Sequence, residues 1–314
     1  MNHIVPFVHS LTDDNASAWL SILQNAMPKI DIRPIADISE AQKNSVEVAI
    51  VANPNPADLS ALPNLKWVQS LWAGVEKLLC ELPDEQIAIV RLVDPQLAET
   101  MAEAVLTWTL YLHRSMPKYV VQQVERKWKQ HDVPMASERT IGILGLGHLG
   151  QKAAKRLHRN GFKVLGWSRS IKELSGVDTL SKDSGLLEIA RLADILVVLL
   201  PSTPQTRGLL DHHLIECMKP GASLINFARA DIIDAYALTK ALKDRKIEHA
   251  VLDVFLNEPL AKTDPFWNNP HVTVLPHISS PTNKHTASQV VAKNLLTYFA
   301  SKEIPLAVSR QDGY

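Results

Sequence analysis

Cysteine, net charge and long apolar runs are the three things this chain has least of. Only two cysteines occur in 314 residues, Cys80 and Cys217, far apart and without CxxC spacing. That excludes a disulfide framework and a thiolate metal site, so metal is expected to play no part, and it points to a reducing compartment. Thirty-three basic residues balance thirty-three acidic ones. With no basic surplus, neither nucleic acid nor an anionic membrane is an expected partner. The longest purely apolar run, Ile195 to Pro201, is far too short to span a bilayer, and MNHIVPFVHSL carries no basic region ahead of a long apolar core. A cytoplasmic protein is the expectation. Tandem repeats and low-complexity segments are missing as well, which leaves an ordinary globular composition, 46% hydrophobic and 21% charged. At this length two domains are the default.

The chain is organised around Ile141 to Gly150, IGILGLGHLG, an apolar run ending in GxGxxG. A short buried strand would enter a tight turn at Gly145. Gly147 would let a pyrophosphate lie against the backbone, and Gly150 would let the next helix pack on the strand. The helix QKAAKRLHRNG follows, closed by Gly161, and a second strand runs from Phe162 to Trp167. Strand, turn, helix and strand in this order predict a dinucleotide site with phosphates at the helix N-terminus.

Upstream, His3 to His9 reads as a strand and Asp14 to Met27 as a helix with apolar residues at helical spacing. Val46 to Ala52, Leu65 to Ser70 and Gln86 to Val93 are further β-branched runs, completing a sheet domain of about a hundred residues. From Pro95 a long helical stretch leads toward the second domain. Lys118 to Met135 is polar and helical, with isolated apolar residues such as Trp128; it is either a solvated surface helix or an arm that packs on a partner subunit. After the glycine loop, runs at Lys163–Trp167, Ala193–Leu200, Ala222–Phe227, Ala250–Val254 and Val272–Leu275 predict a doubly wound parallel sheet. A last helix, His285 to Ala300, would return to the first domain, with ligands expected in a cleft between the two.

Three polar residues stand at the carboxyl ends of the later strands, where open α/β sheets place ligands. Arg229 follows the buried run SLINFA and suits bidentate carboxylate or carbonyl recognition. His277, just after VTVLP, is a natural acid or base for hydroxyl/carbonyl interconversion. Glu258 could hold the imidazole by its other nitrogen, keeping a proton available. Near the end of the second strand, where an acid would bond the ribose 2′-hydroxyl, Ser168, Arg169 and Ser170 stand instead. A cation with hydroxyls suits a 2′-phosphate, with Lys172 as a helper, so NADP(H) is the expected cofactor and NAD(H) the second choice. The other reading of Arg169 is a solvated loop cation over the adenine.

The series GLGHLG, ADILVVLLPSTPQTRGLL, MKPGASLINFARADIIDAYAL, LDVFLNEPL and VLPHIS resembles, in order and spacing, the D-2-hydroxyacid dehydrogenases that use a nicotinamide cofactor. SLWAGVEKLL, RLVDPQLAETMAEAVL and LGWSRS bring it nearest the glyoxylate/hydroxypyruvate reductase branch. The resemblance implies an α/β protein: a doubly wound parallel-sheet Rossmann domain, residues 99–284, plus a smaller flavodoxin-like α/β substrate domain, residues 1–98 and 285–314. It implies NADPH-dependent reduction of small 2-keto acids and a homodimer. Arg229 would bind the substrate's carboxylate and keto oxygen, His277 would donate the proton, and Glu258 would orient and charge it. Asp253 would hold the nicotinamide carboxamide. Gly145, Gly147, His148, Leu149, Gly150, Ser168, Arg169, Ser170, Leu200, Pro201, Thr206, Ala228 and His277 would line the cofactor. Ala73, Gly74 and Val75 would offer backbone amides to the substrate carboxylate, and Trp72 is either a pocket wall that limits substrate length or a core residue. Ala230 and Glu76 depart from the commoner Gly and Asp without removing a reacting group. Other specificities, D-lactate or longer 2-hydroxyacids, and a dinucleotide-sensing interaction protein like the C-terminal-binding-protein corepressors are the competing readings.

Overall fold

A computed structural model describes residues 3–82, 86–311 and 313. The chain divides into two compact units, Met1–Gln96 with Thr282–Tyr314 and Leu97–Pro281, so the backbone passes between them twice.

The first unit is built on five parallel strands: β1 (His3–His9), β2 (Ile30–Pro34), β3 (Val48–Ala52), β4 (Trp67–Ser70) and β5 (Ala88–Val90), in the order β2-β1-β3-β4-β5. Successive side chains go to opposite faces, as a strand demands. Val48, Ile50 and Ala52 join one buried cluster, and Ala49 and Val51 the other. The helices Asp13–Ala26 and Lys284–Ser301 cover the first face; Trp19 and Leu23 come from one, Val291, Leu295 and Tyr298 from the other. At about 1.5–3 kcal/mol for each large apolar side chain buried, the C-terminal helix is part of this core. Asp94, 3% exposed, ties the helix to the outgoing chain by accepting from Thr286 Oγ1 at 2.6 Å and from Gln96 N at 2.9 Å.

The second unit has seven parallel strands: β6 (Thr140–Leu144), β7 (Lys163–Trp167), β8 (Asp178–Leu180), β9 (Ile195–Val198), β10 (Ala222–Asn226), β11 (Ile247–Leu252) and β12 (Val272–Val274). Their order, β12-β11-β10-β9-β6-β7-β8, reverses direction between β6 and β9. Loops leaving neighbouring strands at such a reversal run to opposite faces and open a crevice at the carboxyl edge. Ile195 and Val197 face the cluster that includes the helix Pro95–His113, while Leu196 and Val198 face the other layer of helices. Near-continuous apolar strands are what a sheet buried on both faces requires.

The region around Trp128 differs from the helical expectation over Lys118 to Met135. The helix is Met116–Val124; Arg126 then takes φ +55°, and Gln122 Nε2 donates to the carbonyls of Lys127 and Lys129 at 3.3 and 2.9 Å. A left-handed arginine ends the helix, and residues 127–131 fold back against it as an arm. Trp128 is 98% exposed on it. Among the described residues, no helix is long and apolar enough to cross a membrane.

Candidate active site

Each glycine of the loop after β6 has a different reason to be glycine. At Gly145, φ is +106° and a Cβ would lie 2.7 Å from the Leu199 carbonyl oxygen, beyond the end of β9. Backbone and neighbour both forbid a side chain. At Gly150 a Cβ would stand 1.8 Å from the Gly145 carbonyl oxygen, so the helix His148–Arg159 is pressed directly onto the loop. Gly147 is the N-cap of that helix, and nothing lies within 4 Å of where its Cβ would be. A side chain there would fill the open space before the helix's first amides, where an anion meets the positive end of the dipole. These three constraints fit a dinucleotide pyrophosphate. His148 is exposed and Leu149 half-buried beside it.

Gly145 N donates to Trp167 O at 2.8 Å, binding the loop to the end of β7. There the chain presents Ser168, half-buried, with Arg169 and Ser170 exposed. Ser168 Oγ donates to Ser170 O at 2.7 Å, and Thr179 Oγ1 fixes the backbone of Lys172 at 2.7 Å. This turn offers a guanidinium and hydroxyls and no carboxylate. Across the reversal, beyond β9, Leu200 is buried and Pro201 half-buried; Thr206 Oγ1 donates to Pro201 O at 2.6 Å and accepts from Thr203 N at 2.8 Å.

Arg229, Glu258 and His277 follow the ends of β10, β11 and β12, and of the three Glu258 and His277 are paired. Asn226, 1% exposed, accepts from Ala228 N at 3.1 Å and donates to Arg229 O at 3.0 Å. Arg229 Nη1 donates to Ala228 O at 2.7 Å, which folds the half-buried guanidinium back over its own turn. Glu258 accepts from Phe255 N at 2.9 Å through Oε1, and its Oε2 lies 2.8 Å from His277 Nδ1. With a carboxylate as partner, Nδ1 carries the hydrogen, leaving Nε2 as the nitrogen that can exchange a proton. His277 is exposed and sits at φ +55°, an unfavourable region for a side-chain-bearing residue.

Asp253 explains how that conformation is held. Its carboxylate, 2% exposed, accepts from Ile278 N at 2.7 Å and from Ser279 N at 2.8 Å, and also from Ser279 Oγ. Both oxygens are engaged by the chain immediately after His277. In this structure Asp253 anchors the loop that carries His277, a task that spacing does not suggest. Asn226 and Ser279 were also missed. The only signal available was a polar residue at the end of an otherwise apolar strand.

In the first unit, Trp72 N donates to Ser70 Oγ at 3.0 Å and Leu92 N donates to Trp72 O at 2.9 Å. The indole meets Trp19 edge-on at 6.0 Å and packs on the core, and its buried Nε1 has no partner among the described residues. Ala73 and Gly74 are half-buried, and Val75 is the N-cap of the short helix Glu76–Glu81. Among the described residues no three His, Cys, Asp or Glu side chains converge as a metal site would require.

A glycine turn at a sheet reversal, with an imidazole–carboxylate pair at later strand ends, separates phosphate binding from proton transfer. That division of labour belongs to dinucleotide-dependent oxidoreductases. The model of the D-isomer specific 2-hydroxyacid dehydrogenase NAD-binding domain matches residues 106–279. The chain is 34% identical over 295 residues to glyoxylate/hydroxypyruvate reductase A of Serratia proteamaculans, covering 92% of this chain and 93% of that one. A D-isomer specific 2-hydroxyacid dehydrogenase from Xanthobacter autotrophicus, solved with NADPH and MES, superimposes with TM-score 0.91 at 35% identity over 99% of each chain. An NADPH-dependent glyoxylate/hydroxypyruvate reductase from Sinorhizobium meliloti, solved with NADP and sulfate, gives 0.89 at 30% identity over the whole of both chains. The chain belongs to the NAD(P)-dependent D-isomer specific 2-hydroxyacid dehydrogenase family.

Proposed function

We propose that this protein reduces small 2-keto acids, glyoxylate and hydroxypyruvate, to the 2-hydroxy acids with NADPH. The observation that carries the reading is the Glu258–His277 pair, 2.8 Å apart, with the imidazole loop anchored by Asp253. Bound in the glycine loop, the reduced dinucleotide supplies a hydride to the carbonyl carbon. Arg229 takes the substrate carboxylate and draws electron density toward the keto oxygen. His277 delivers the proton from Nε2 to that oxygen while Glu258 retains Nδ1, so the ring stays oriented as it becomes neutral. The amides of Ala73, Gly74 and Val75 add carboxylate recognition, and Trp72 limits side-chain length.

Arg169, flanked by Ser168 and Ser170, supports NADPH over NADH, as do the relatives solved with NADPH and with NADP. The exposed end of the helix at Val124, 81% exposed, and the arm after it with Trp128 at 98% support a homodimer. Two free cysteines, Cys80 exposed, support a reducing, cytoplasmic setting.

Steady-state rates with glyoxylate, hydroxypyruvate, pyruvate and longer keto acids, each with NADPH and NADH, test the proposal. The expected result is turnover of the two short substrates with kcat/KM at least about tenfold higher for NADPH, one lost charge-assisted contact being worth roughly that much. Equal constants for the two cofactors would remove the role given to Arg169, and no turnover of any keto acid would remove the function.

A further inference from the structure

We propose that Asp231 is a positioning residue: with Ser202 and Arg207 it latches the loop after β9 to the turn carrying Arg229, and so fixes the guanidinium relative to the bound dinucleotide. The inference rests on the function proposed above.

β9 and β10 run in register up to Val198 and Asn226, and Phe227 N still donates to Val198 O at 3.3 Å. Beyond that point the two chains part. They rejoin where Gly208 N donates to Asp231 O at 2.8 Å and Leu210 N to Ile232 O at 3.0 Å, followed by the bridge Leu210–Ile233. The gap between is an eyelet whose rims are residues 199–207 and 228–230. Leu200, Pro201, Thr206, Ala228 and Arg229, all assigned above to cofactor or substrate, lie on it. Asp231 closes its far end. Beyond its backbone bond, its Oδ2 accepts from Ser202 Oγ at 2.6 Å and pairs with Arg207 Nε at 3.2 Å, and Arg207 Nε reaches Ser202 Oγ at 3.3 Å.

Two features argue that this latch serves geometry more than stability. Arg207 is mostly exposed, so its ion pair is a weak anchor, and the buried member is Ser202 at 7% exposure. Asp231 Oδ1, meanwhile, is buried with no partner among the described residues. A bare carboxylate oxygen is costly, and a neutral acceptor would hold Ser202 without it. What the carboxylate adds is a single point gripped from two directions, two residues from Arg229. Arg229 is the N-cap of the one-turn helix Ala230–Ile232 in which Asp231 lies, so moving the carboxylate swings the start of that turn.

The test compares Asp231→Ala, Asp231→Asn, Ser202→Ala and the double alanine variant by NADPH fluorescence titration, by kcat and KM for the keto acid, and by Tm. Small displacements of a reacting group are costly, so Asp231→Ala is expected to lower kcat/KM about tenfold and raise the Kd for NADPH about fivefold. Asp231→Asn, which keeps an acceptor for Ser202 Oγ but gives up the charge that grips Arg207, recovers part of each loss, and the double variant is no worse than Asp231→Ala because both changes open one latch. Folded Asp231→Ala with wild-type kcat, KM and Kd, whatever its Tm, overturns the proposal, as do additive losses in the double variant. If Asp231→Ala does not fold, Ser202→Ala decides by the same constants. If the wild type reduces no keto acid, the proposed function fails, and the latch is judged on Kd for NADPH alone.

Discussion

One strand, β11, carries a buried polar group near each end, and the two are treated in opposite ways. Past its carboxyl end Asp253 has both oxygens occupied by the His277 loop. Near its amino end His249, 4% exposed, bonds Thr273 Oγ1 through Nε2 at 2.8 Å while its Nδ1 has no partner among the described residues. At the carboxyl end the loop after β12 folds back and gives both carboxylate oxygens amide partners. At the amino end burial, with the nearby His271 charge adding to it, pushes the His249 imidazole down to about 4. Beside it lies a cavity of about 450 Å³, lined in part by the exposed arm and by Arg139, whose buried Nε also lacks a partner. Along β11, then, the carboxyl-end group is held by the amides of a following loop, while burial keeps the amino-end imidazole neutral.

The comparison breaks most decisively at His277. His277→Asn keeps a residue tolerant of positive φ but removes the exchangeable proton; kcat should fall about 10²–10⁴-fold with Tm unchanged. A smaller loss separates anchoring from chemistry. Asp253→Ala frees the amides of Ile278 and Ser279, and kcat should drop roughly 10–100-fold, together with Tm, as for lost support of a working imidazole.

At the other edge the expected effect is on stability. The folded pKa of His249 lies below the unfolded value of 6.5, so the folded state prefers the neutral ring. Its contribution is intact above pH 6.5 and is lost as pH falls toward about 4, up to roughly 3 kcal/mol in all. Urea titrations from pH 7 to 4 should show a shallower decline for His249→Gln, with kcat at pH 7 near wild type. The smallest effect belongs to Trp128→Ala on the arm: Tm within about 0.5 kcal/mol equivalent and kcat unchanged, while sedimentation shows a weakened dimer.

Legibility from sequence followed the strength of each local signal. The apolar strands of the second sheet and the glycine turn were readable because burial on both faces and a forced φ each leave a mark in composition. β2, IDIRP, and β8, DTL, were not read: both are short edge strands whose charged residues face outward and hide the pattern. The helix after Met116 was read too long because a left-handed arginine carries no turn signature. In the site, Arg229, Glu258 and His277 stood out as polar residues after apolar runs. The anchoring by Asp253 and the Asp231 latch did not, since each joins residues about 25 to 30 positions apart and depends on which strands are neighbours.

The helix Lys284–Ser301 completes the core of the unit in which the chain began. During synthesis the five strands of that unit emerge before the second unit, yet Val291, Leu295 and Tyr298 emerge only after it. The nucleotide-binding unit, continuous in the chain, can close while one face of the first sheet is covered only by the helix Asp13–Ala26. Domains otherwise fold in the order they are made. Here the first sheet can gain its second covering helix only after the whole of the other unit has been made.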